Sequence, residues 1–444
     1  MKRTKLSLGG PRAQLLVIPV LALALAAAPG CDGGGDGSGG SGGDGGGTGG
    51  TGGAGGATGS TTAANCSTTL SPGATDQSTV QTALIEAKEG DVICFAEGTF
   101  KFDTELSLDV DGVTLLGAGR DKTTWDFSGQ DVGANGMLIK SDNVTVTEVT
   151  VKNTPGDGIR ADAVTGISFL NMDVIWDADA SDTNGAYGLY PVSSDQVLID
   201  GCTVKGARDA GIYVGQSTNI IVSNSEAYGN VAGIEIENST DAEVMNNKAH
   251  DNTAGILIFN LPGLPVLDGK RSKVHDNVVE NNNEGNFGVA GTTVAKVPYG
   301  IGIMLLATDD NEVHDNEVNG NRSVGILTVS YLEVLFGAPN DPNFNEFPEG
   351  NYIHDNTFSG NGESPHPLVS GAAGGASPIP DIVWDGCTDP TAVDDGMLTN
   401  CLNGNKAGAA DATYANADLC GMPSTIDTDV SKVTCEYASL PSQK

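Results

Sequence analysis

The sequence predicts an all-β solenoid in which short strands form stacked coils of about 22 residues. A Gly-Ile pair recurs every 22 residues, at Gly211, Gly233 and Gly255, and each pair is followed by an Asn-containing turn such as Val244-Met-Asn-Asn. Short apolar/polar alternations lie between these sites, separated by Gly, Asn and Asp, which is typical of strands and turns. A unit this small cannot bury its own apolar face, so the repeats must stack on one another.

Composition agrees with one elongated acidic domain. The 444 residues contain 22 Lys+Arg against 57 Asp+Glu, for a net charge of -35, and 39% are hydrophobic. Such an acidic chain is repelled by nucleic acid and by anionic membranes, so neither is expected as a partner. We expect a monomer.

Residues 1–30 have the features of a secretory signal peptide. Lys2 and Arg3 supply positive charge, and an apolar stretch too short to span a bilayer follows. The stretch ends in Ala28-Pro29-Gly30-Cys31, which resembles the lipobox of bacterial lipoproteins. The resemblance implies that Cys31 is lipidated and becomes the mature N-terminus. The alternative is an ordinary signal cleaved near Ala28.

Residues 31–65 form a Gly/Ser/Asp-rich tether with no apolar residue larger than Ala between Asp32 and Asn65. Such a segment behaves as a flexible coil. We therefore expect an exported protein of the cell envelope, anchored to the outer membrane or cell surface through its N-terminal lipid alone.

Eight Cys in an exported chain predict disulfides. Cys66 and Cys94 flank the start of the fold and form one candidate pair. Four more lie in the last sixty residues and are expected to form two pairs of undecided connectivity: Cys387, Cys401, Cys420 and Cys435. Cys202 remains as a buried free thiol.

A short amphipathic helix is predicted over Gln77–Lys88, where it would cover the first coil of the solenoid. Its apolar face comprises Val80, Leu84, Ile85 and Ala87. Gly90 is the expected C-cap. The cap protects strand edges that would otherwise recruit other chains.

Stacking the turns places one residue of each coil in an inward column. Its members are Val149, Met172, Cys202, Ser225, Asn247, Asn277, Asn316 and Asn356. The four Asn predict a ladder in which side-chain amides hydrogen-bond along the stack. A neighbouring column comprises Val151, Val174, Val204, Ala227, Ala249, Val279, Val318 and Phe358.

The 22-residue pitch, the Gly-Ile strands and the Asn turns resemble the right-handed parallel β-helix of pectin-lyase-like proteins over residues 74–363. Asp209-Ala-Gly-Ile-Tyr-Val-Gly-Gln and Gly233-Ile-Glu-Ile-Glu-Asn are similar to a family of bacterial parallel β-helix repeat proteins. The resemblance supplies no catalytic residues that could be transferred to this sequence. We expect a β-helix domain over residues 66–363 and a Cys-containing cap over residues 364–444.

Alternate residues of each Gly-Ile strand should point outward and form one patch. The first row is Arg160, Tyr190, Tyr213, Glu235 and Leu257, and the second includes Asp162, Glu237 and Phe259, with Gln216 beside a Gly215 expected to bend its strand. Polar groups and flat aromatic rings on a rigid sheet suit a sugar chain. The alternative is a solvated sheet face.

Three chemistries remain open for this patch. Glu235 and Glu237, about 7 Å apart, suit an inverting glycosidase. With Asp162 or Asp209 they suit Ca²⁺, which binds several oxygen ligands. A lyase or epimerase instead uses a base, for which Tyr213 or Tyr190 near Arg160 is the candidate.

The histidines of the repeat and the basic residues of the insertions lie outside this patch in sequence. His275, His314 and His354 share one register and are interpreted as a structural column rather than a metal site. Insertions at about 261–271, 283–298 and 331–349 should gather on the binding face, bringing Lys270, Arg271 and Lys296 with them. The prediction is a surface-anchored protein that binds and processes an extracellular polysaccharide as a lyase, epimerase or hydrolase. The alternative is a non-catalytic glycan-binding or structural envelope protein.

Overall fold

The computed structural model describes residues 65–392, 398–421 and 425–443. The predicted signal peptide, Cys31 and nearly all of the tether lie outside these residues. No helix among the described residues is long and apolar enough to cross a membrane.

The described chain forms 35 short strands, three α-helices and two 3-10 helices. The N-terminal part contains β1 (Thr68–Leu70), α1 (Asp76–Glu86), β2 (Val92–Phe95), β3 (Gly98–Lys101), β4 (Thr104–Leu108), β5 (Thr114–Gly117), β6 (Thr123–Asp126), β7 (Val132–Ile139), β8 (Val144–Thr147), β9 (Thr150–Lys152), β10 (Asp157–Asp162), β11 (Thr165–Leu170) and β12 (Asp173–Ile175). The central part contains β13 (Leu189–Val192), β14 (Asp195–Asp200), β15 (Thr203–Lys205), β16 (Ala210–Gly215), β17 (Thr218–Ser223), β18 (Glu226–Tyr228), β19 (Ala232–Glu237), β20 (Thr240–Met245), β21 (Lys248–His250), β22 (Ala254–Phe259), β23 (Lys273–His275) and β24 (Val278–Glu280). The C-terminal part contains a 3-10 turn (Val294–Lys296), β25 (Ile301–Leu306), β26 (Glu312–His314), β27 (Glu317–Asn319), β28 (Val324–Val329), α2 (Glu333–Phe336), β29 (Tyr352–His354), β30 (Thr357–Ser359), α3 (Pro367–Ala372), β31 (Ile382–Trp384), β32 (Cys401–Asn403), β33 (Lys406–Ala407), β34 (Ala410–Asp411), β35 (Tyr414–Asn416) and a second 3-10 turn (Val430–Lys432).

These strands build three sheets that run the length of a parallel β-helix, because each coil contributes one strand to each sheet. Sheet 1 has the order β1-β2-β5-β8-β11-β14-β17-β20-β23-β26-β29-β32. Sheet 2 has the order β35-β31-β28-β25-β22-β19-β16-β13-β10-β7-β4. Sheet 3 has the order β3-β6-β9-β12-β15-β18-β21-β24-β27-β30-β33-β34. Every pairing is parallel except β33 with β34, which confirms the predicted all-β solenoid.

Apolar side chains from the three sheets fill the interior of the coils. Ile212 lies opposite Ile234, and Ile234 opposite Ile256, so like residues stack from coil to coil. All three are fully buried. Burial of this continuous column, at about 25 cal/mol per Å² of apolar surface, is what holds repeats together that cannot fold singly.

The predicted Asn ladder is present and is longer than expected. Asn247, Asn277 and Asn316 each donate from Nδ2 to the Oδ1 of the next Asn, at 3.1, 2.9 and 2.9 Å. The ladder ends at Asn405, which accepts from Asn356. Two further ladders occupy other turns and were not predicted; they comprise Asn230, Asn252, Asn282, Asn321 and Asn361, and Asn311, Asn351 and Asn400. The amides satisfy buried turn backbone that no sheet pairing reaches.

Cys202 lies in the ladder column, where it is buried and free, as predicted. Its backbone N–H donates to the hydroxyl of Ser225 at 3.1 Å, and Ser225 in turn donates its N–H to Asn247. A small residue therefore continues the column where no amide is present.

The N-terminal helix is confirmed, with two corrections. Val80 and Leu84 are buried against the first coil, but Ile85 is 70% exposed. The helix ends at Glu86 with Ala87 as its C-cap, so Gly90, predicted as the cap, instead forms the following turn at φ +83°. Ile85 is one residue past Leu84, about 100° around the helix, which turns it away from the coil.

The coil stack continues beyond residue 363, where the sequence suggested a separate cap. β31 and β35 extend sheet 2, and β32 extends sheet 1. Two disulfides hold this end, Cys387–Cys420 and Cys401–Cys435. The predicted Cys66–Cys94 bond joins the chain just before β1 to β2.

The last described residues run back along sheet 1. The backbone N–H of Leu440 donates to Glu312 and that of Gln443 donates to Glu243, both at 2.8 Å. Lys273 donates to the carbonyl of Leu440 at 3.3 Å. Because the three sheet residues are neighbours across successive coils, this segment fastens the C-terminus to the middle of the stack.

Candidate active site

The predicted outward rows of sheet 2 are formed in the predicted register. Arg160 lies opposite Tyr190, Tyr213 opposite Glu235, and Glu235 opposite Leu257. In the second row, Glu237 lies between Gly215 and Phe259. Asp162 lies in the same row, opposite Val192. Parallel pairing without a bulge at these strands brings corresponding residues of successive coils within about 5 Å of one another.

Much of this face is buried rather than solvated. Tyr213, Glu235 and Leu257 are only 4%, 3% and 1% exposed. The three predicted insertions fold over them and enclose a cavity of about 290 Å³, termed here the acid cavity. Its lining residues are Tyr187, Asp209, Tyr213, Glu235, Glu237, Leu257, Phe259, Leu261, Thr292, Thr293, Val294, Val297, Met304, Leu306 and Phe336. None of them is a lysine or an arginine.

Tyr213 and Glu237 form a hydrogen-bonded pair in this cavity. The Tyr213 hydroxyl donates to Oε2 of Glu237, across one coil. Gly215 makes this possible, because a Cβ there would lie 2.3 Å from the Tyr213 hydroxyl. Gly215 was predicted to bend its strand, but it completes β16, and the chain turns at Gln216, where φ is +52°. Burial raises the pKa of Glu237, while the Tyr213 hydroxyl opposes that rise by stabilising the carboxylate.

Glu235 has the most strongly perturbed environment of the carboxyl groups in this cavity. Its side chain accepts no hydrogen bond from any described residue. Burial, and then the nearby charges of Asp209 and Glu237, raise the pKa of Glu235 well above its usual range. Burial therefore favours the protonated form of this carboxyl group, which lies beside the cavity.

Asp209 completes an acidic wall. It directly precedes β16, and burial raises its pKa to about 7, against the stabilising influence of the Tyr187 hydroxyl. Asp209, Glu235 and Glu237 thus share a poorly solvated space. Three carboxyl groups so placed cannot all ionise readily, and such clusters are typical of functional sites.

Tyr187 is a site residue that the outward rows did not include. Its ring centroid lies 4.5 Å from that of Tyr190 and 4.7 Å from that of Tyr213. The signal was present in the repeat, because Tyr187 precedes Gly188 as Ala210 precedes Gly211. Ala210 belongs to a second apolar cluster outside the coils, so the position before each Gly faces outward, whereas Gly and Ile both face the interior.

Arg160 and Asp162 do not line the acid cavity, so the single predicted patch is divided. The Arg160 guanidinium lies 4.9 Å from the ring centroid of Tyr190 and 3.6 Å from the carboxylate of Asp162. Arg160 therefore packs on the far side of the tyrosines. Tyr190 separates it from Glu235 and Glu237.

Metal binding at this site stays a prediction. In the described part of the chain, no group of three or more His, Cys, Asp or Glu side chains is arranged to hold a metal ion. Of the predicted ligands, Asp209, Glu235 and Glu237 line one cavity, and Asp162 pairs with Arg160.

The His column is formed as predicted. The rings of His275, His314 and His354 stack with centroids 4.9 Å apart. Each Nδ1 contacts the Asp that follows it at 2.7–2.8 Å. Among the basic loop residues, Arg271 is paired with Asp241 and Lys270 with Asp268, so neither reaches the acid cavity.

Comparison with known proteins agrees with this architecture. Residues 135–297 match a family model described as right handed beta helix region. No curated protein matches the chain. Together with the three parallel sheets, this match shows a right-handed parallel β-helix fold, as predicted.

Solved structures with similar folds include polysaccharide-active proteins. The A-module of a mannuronan C-5 epimerase from Azotobacter vinelandii is 16% identical, with a TM-score of 0.45 over 77% of this chain and 95% of that chain. An alginate lyase from Paenibacillus sp. is 16% identical, with a TM-score of 0.40 over 78% and 97%. An exopolygalacturonase from Thermotoga maritima is 12% identical, with a TM-score of 0.43 over 64% and 83%. These likenesses concern the fold alone.

Proposed function

We propose that the acid cavity hydrolyses a glycosidic bond at the end of a neutral glycan. The observation that carries this proposal is the buried carboxyl group of Glu235, which has no hydrogen-bond donor among the described residues and lies one β-strand repeat from Glu237. Two carboxyl groups with different environments are the minimum apparatus of most glycosidases.

The different surroundings of Glu235 and Glu237 indicate which is the general acid and which is the general base. Glu235, whose pKa is raised further, is the general acid that protonates the glycosidic oxygen as the bond from that oxygen to the anomeric carbon breaks. Glu237, held by the Tyr213 hydroxyl, is the base that takes a proton from the water attacking the anomeric carbon. Glu237 then releases its proton to solvent and Glu235 regains one. The products are a free sugar and an alcohol.

The spacing favours inversion at the anomeric carbon. Residues i and i+2 of one strand face the same side, with about 6.6–7 Å between their Cα atoms, and we take this spacing as the separation of the two carboxyl groups. An inverting pair is separated by about 6.5–9.5 Å, which leaves room for the water. A retaining pair is closer, at about 5–5.5 Å.

The charge of the cavity supports a neutral sugar rather than a uronate. A lyase or epimerase acting beside a carboxylate needs a cation to neutralise it, and the lining includes no lysine or arginine. Arg160, the predicted partner, is engaged with Asp162 and Tyr190. An anionic substrate would also be repelled by whichever of the three carboxyl groups is ionised, such as Glu237, the proposed base.

The size of the cavity supports action at a chain end. Its volume of about 290 Å³ lies at the lower limit of ordinary ligand pockets, about 300–1,000 Å³. The insertions cover the sheet face on which a long chain would have to lie. A terminal sugar therefore fits the space better than the interior of a polymer.

The decisive experiment is a panel of neutral and acidic polysaccharides and oligosaccharides, scored for new reducing ends and for unsaturated products. Hydrolysis of a neutral glycan should fall by about 10²–10⁴-fold in Glu235→Gln. Glu317→Gln, on the exposed surface of β27, is the matched control and should retain activity. Unsaturated products would contradict the hydrolase proposal, and binding without turnover on every substrate would support a glycan-binding protein.

We further propose that the protein works at the cell envelope on a lipid anchor at Cys31. The support is the lipobox-like Ala28-Pro29-Gly30-Cys31 and the Gly-rich tether that follows it.

A further inference from the structure

We infer that a second, apolar cavity binds an apolar aglycone, so that the substrate is an amphipathic glycoside whose terminal sugar lies in the acid cavity. This inference rests on the proposed function of that cavity. It identifies the group to which the sugar is attached as an alkyl chain rather than a further sugar.

The second cavity has a volume of about 110 Å³ and adjoins the acid cavity. The two share four lining residues, Val297, Met304, Leu306 and Phe336. Beyond this shared wall the lining is almost entirely apolar, as at Leu327 and Val383. A ligand can therefore extend from one cavity to the other past the same side chains.

The register of sheet 2 orders the two cavities along one row. Glu235 lies opposite Leu257, Leu257 opposite Met304, and Met304 opposite Leu327. With coils about 4.8 Å apart, Glu235 and Leu327 are separated by about 14 Å. Along this row the lining changes from a carboxylic acid to three successive apolar side chains. That is the polarity profile of a sugar joined to a hydrocarbon chain.

The second cavity opens to solvent, since Leu368 and Ala372 line it and are exposed. An apolar ligand that fills such an opening removes its own surface and that of the lining side chains from water, which favours binding. The charged lining groups have partners within the protein. Asp385 accepts from the N–H groups of Ser330 and Cys387, and the Lys296 ammonium lies 5.3 Å from the centroid of the Phe336 ring in the shared wall.

The test uses non-hydrolysable thioglycosides, so binding is measured independently of catalysis. Methyl, butyl and octyl 1-thioglycosides of glucose, galactose and mannose are titrated calorimetrically below their micellar concentrations. The Kd should fall about fourfold for each buried CH₂, equivalent to about 0.8 kcal/mol, until the cavity is full. Octyl compounds that bind no better than methyl compounds, or do not bind, overturn the inference.

A substitution at the edge of the second cavity tests whether the alkyl chain of the ligand binds there. Ala372, in α3, lines the second cavity but not the acid cavity and is itself exposed. Ala372→Phe should abolish most of the octyl advantage and leave methyl thioglycoside binding unchanged, while Ala372→Ser should change neither. An octyl advantage that survives Ala372→Phe places the chain elsewhere and overturns the inference.

The experiments distinguish failure of the catalytic proposal from failure of the inference about the apolar cavity. If the octyl advantage responds to Ala372→Phe but the matching oxygen-linked octyl glycosides are not hydrolysed, the catalytic proposal is wrong and the apolar site stands as a binding site. If short neutral glycosides are hydrolysed without any preference for alkyl chains, the catalytic proposal stands and the apolar site is wrong.

Discussion

Replacement of Asn277 by Leu tests the ladder that joins the coils. The Asn277 side chain makes four hydrogen bonds and is 1% exposed. Its Oδ1 accepts from the backbone N–H and the Nδ2 of Asn247, at 2.9 and 3.1 Å, and its Nδ2 donates to Val244 and Asn316, both at 2.9 Å. Leu has a similar shape and removes all four bonds.

The expected loss follows from which groups keep a partner. Asn316 Oδ1 still accepts from the backbone N–H of Asn277, and Asn247 Nδ2 still donates to Val222. The backbone N–H of Asn247 loses its acceptor and is left buried, at a cost of about 1–3 kcal/mol. The remaining bonds contribute about 1 kcal/mol each. Burial of the more apolar Leu side chain offsets part of this loss, so the free energy of unfolding should fall by about 3–5 kcal/mol.

Chemical denaturation followed by circular dichroism measures this change, and two variants calibrate it. Asn277→Ser should cost less than Asn277→Leu, because Ser225 already serves as the acceptor at the same place in its own coil. Asn319→Leu removes one bond from Ser359 at a half-exposed site and should cost about 0.5 kcal/mol or less. Equal losses for Asn277→Leu and Asn319→Leu would show that the ladder does not stabilise the stack.

Three further predictions concern other parts of the chain. The melting temperature should rise as the pH is lowered from about 8 to about 5. The reason is that folding raises the pKa of buried carboxyl groups, that of Asp209 to about 7. Such a group stabilises the fold when it is protonated, and this contribution is lost as the pH rises through the folded-state pKa. Glu235→Gln should make this dependence shallower, and an unchanged slope would contradict the assigned burial of Glu235. Because burial raises the pKa of Cys202 to about 12, its thiol should resist iodoacetamide in the native protein and react only after denaturation, as read by peptide mass spectrometry; rapid native labelling would contradict its burial. Cys31→Ser should release the protein from membrane fractions, and unchanged sedimentation with membranes would argue against a lipid anchor at that residue.

The periodic part of the fold was predictable because every repeat has an apolar residue that can be buried only by stacking on the next repeat. Gly211, Gly233 and Gly255 recur at one spacing, and only stacking buries the Ile that follows each Gly. The register of Tyr213 against Glu235 followed from that spacing alone. Strands outside the regular repeat were not predicted. Ile382 in β31 belongs to sheet 2, but no Gly-Ile pair or Asn turn identifies its strand in the sequence.

The candidate site was predictable as a set of rows but not as a cavity. Strand alternation identifies which side chains leave the coil, and it correctly placed Tyr213, Glu235 and Glu237 together. It gives no information on how Val294 or Phe336, from separate insertions, fold back over them. The perturbed carboxyl groups depend on that cover, since desolvation is the largest cause of each raised pKa.

The C-terminal segment on sheet 1 has a consequence for how the molecule unfolds. Coils of a solenoid ordinarily contact only their neighbours, so an end can fray one coil at a time. Here the bond from Gln443 to Glu243 joins residues 200 positions apart in sequence. The last coils cannot peel away unless this segment detaches first, which couples the end of the stack to its middle. Hydrogen exchange at the C-terminal end should therefore report openings that involve several coils together rather than a gradient that rises toward the terminus.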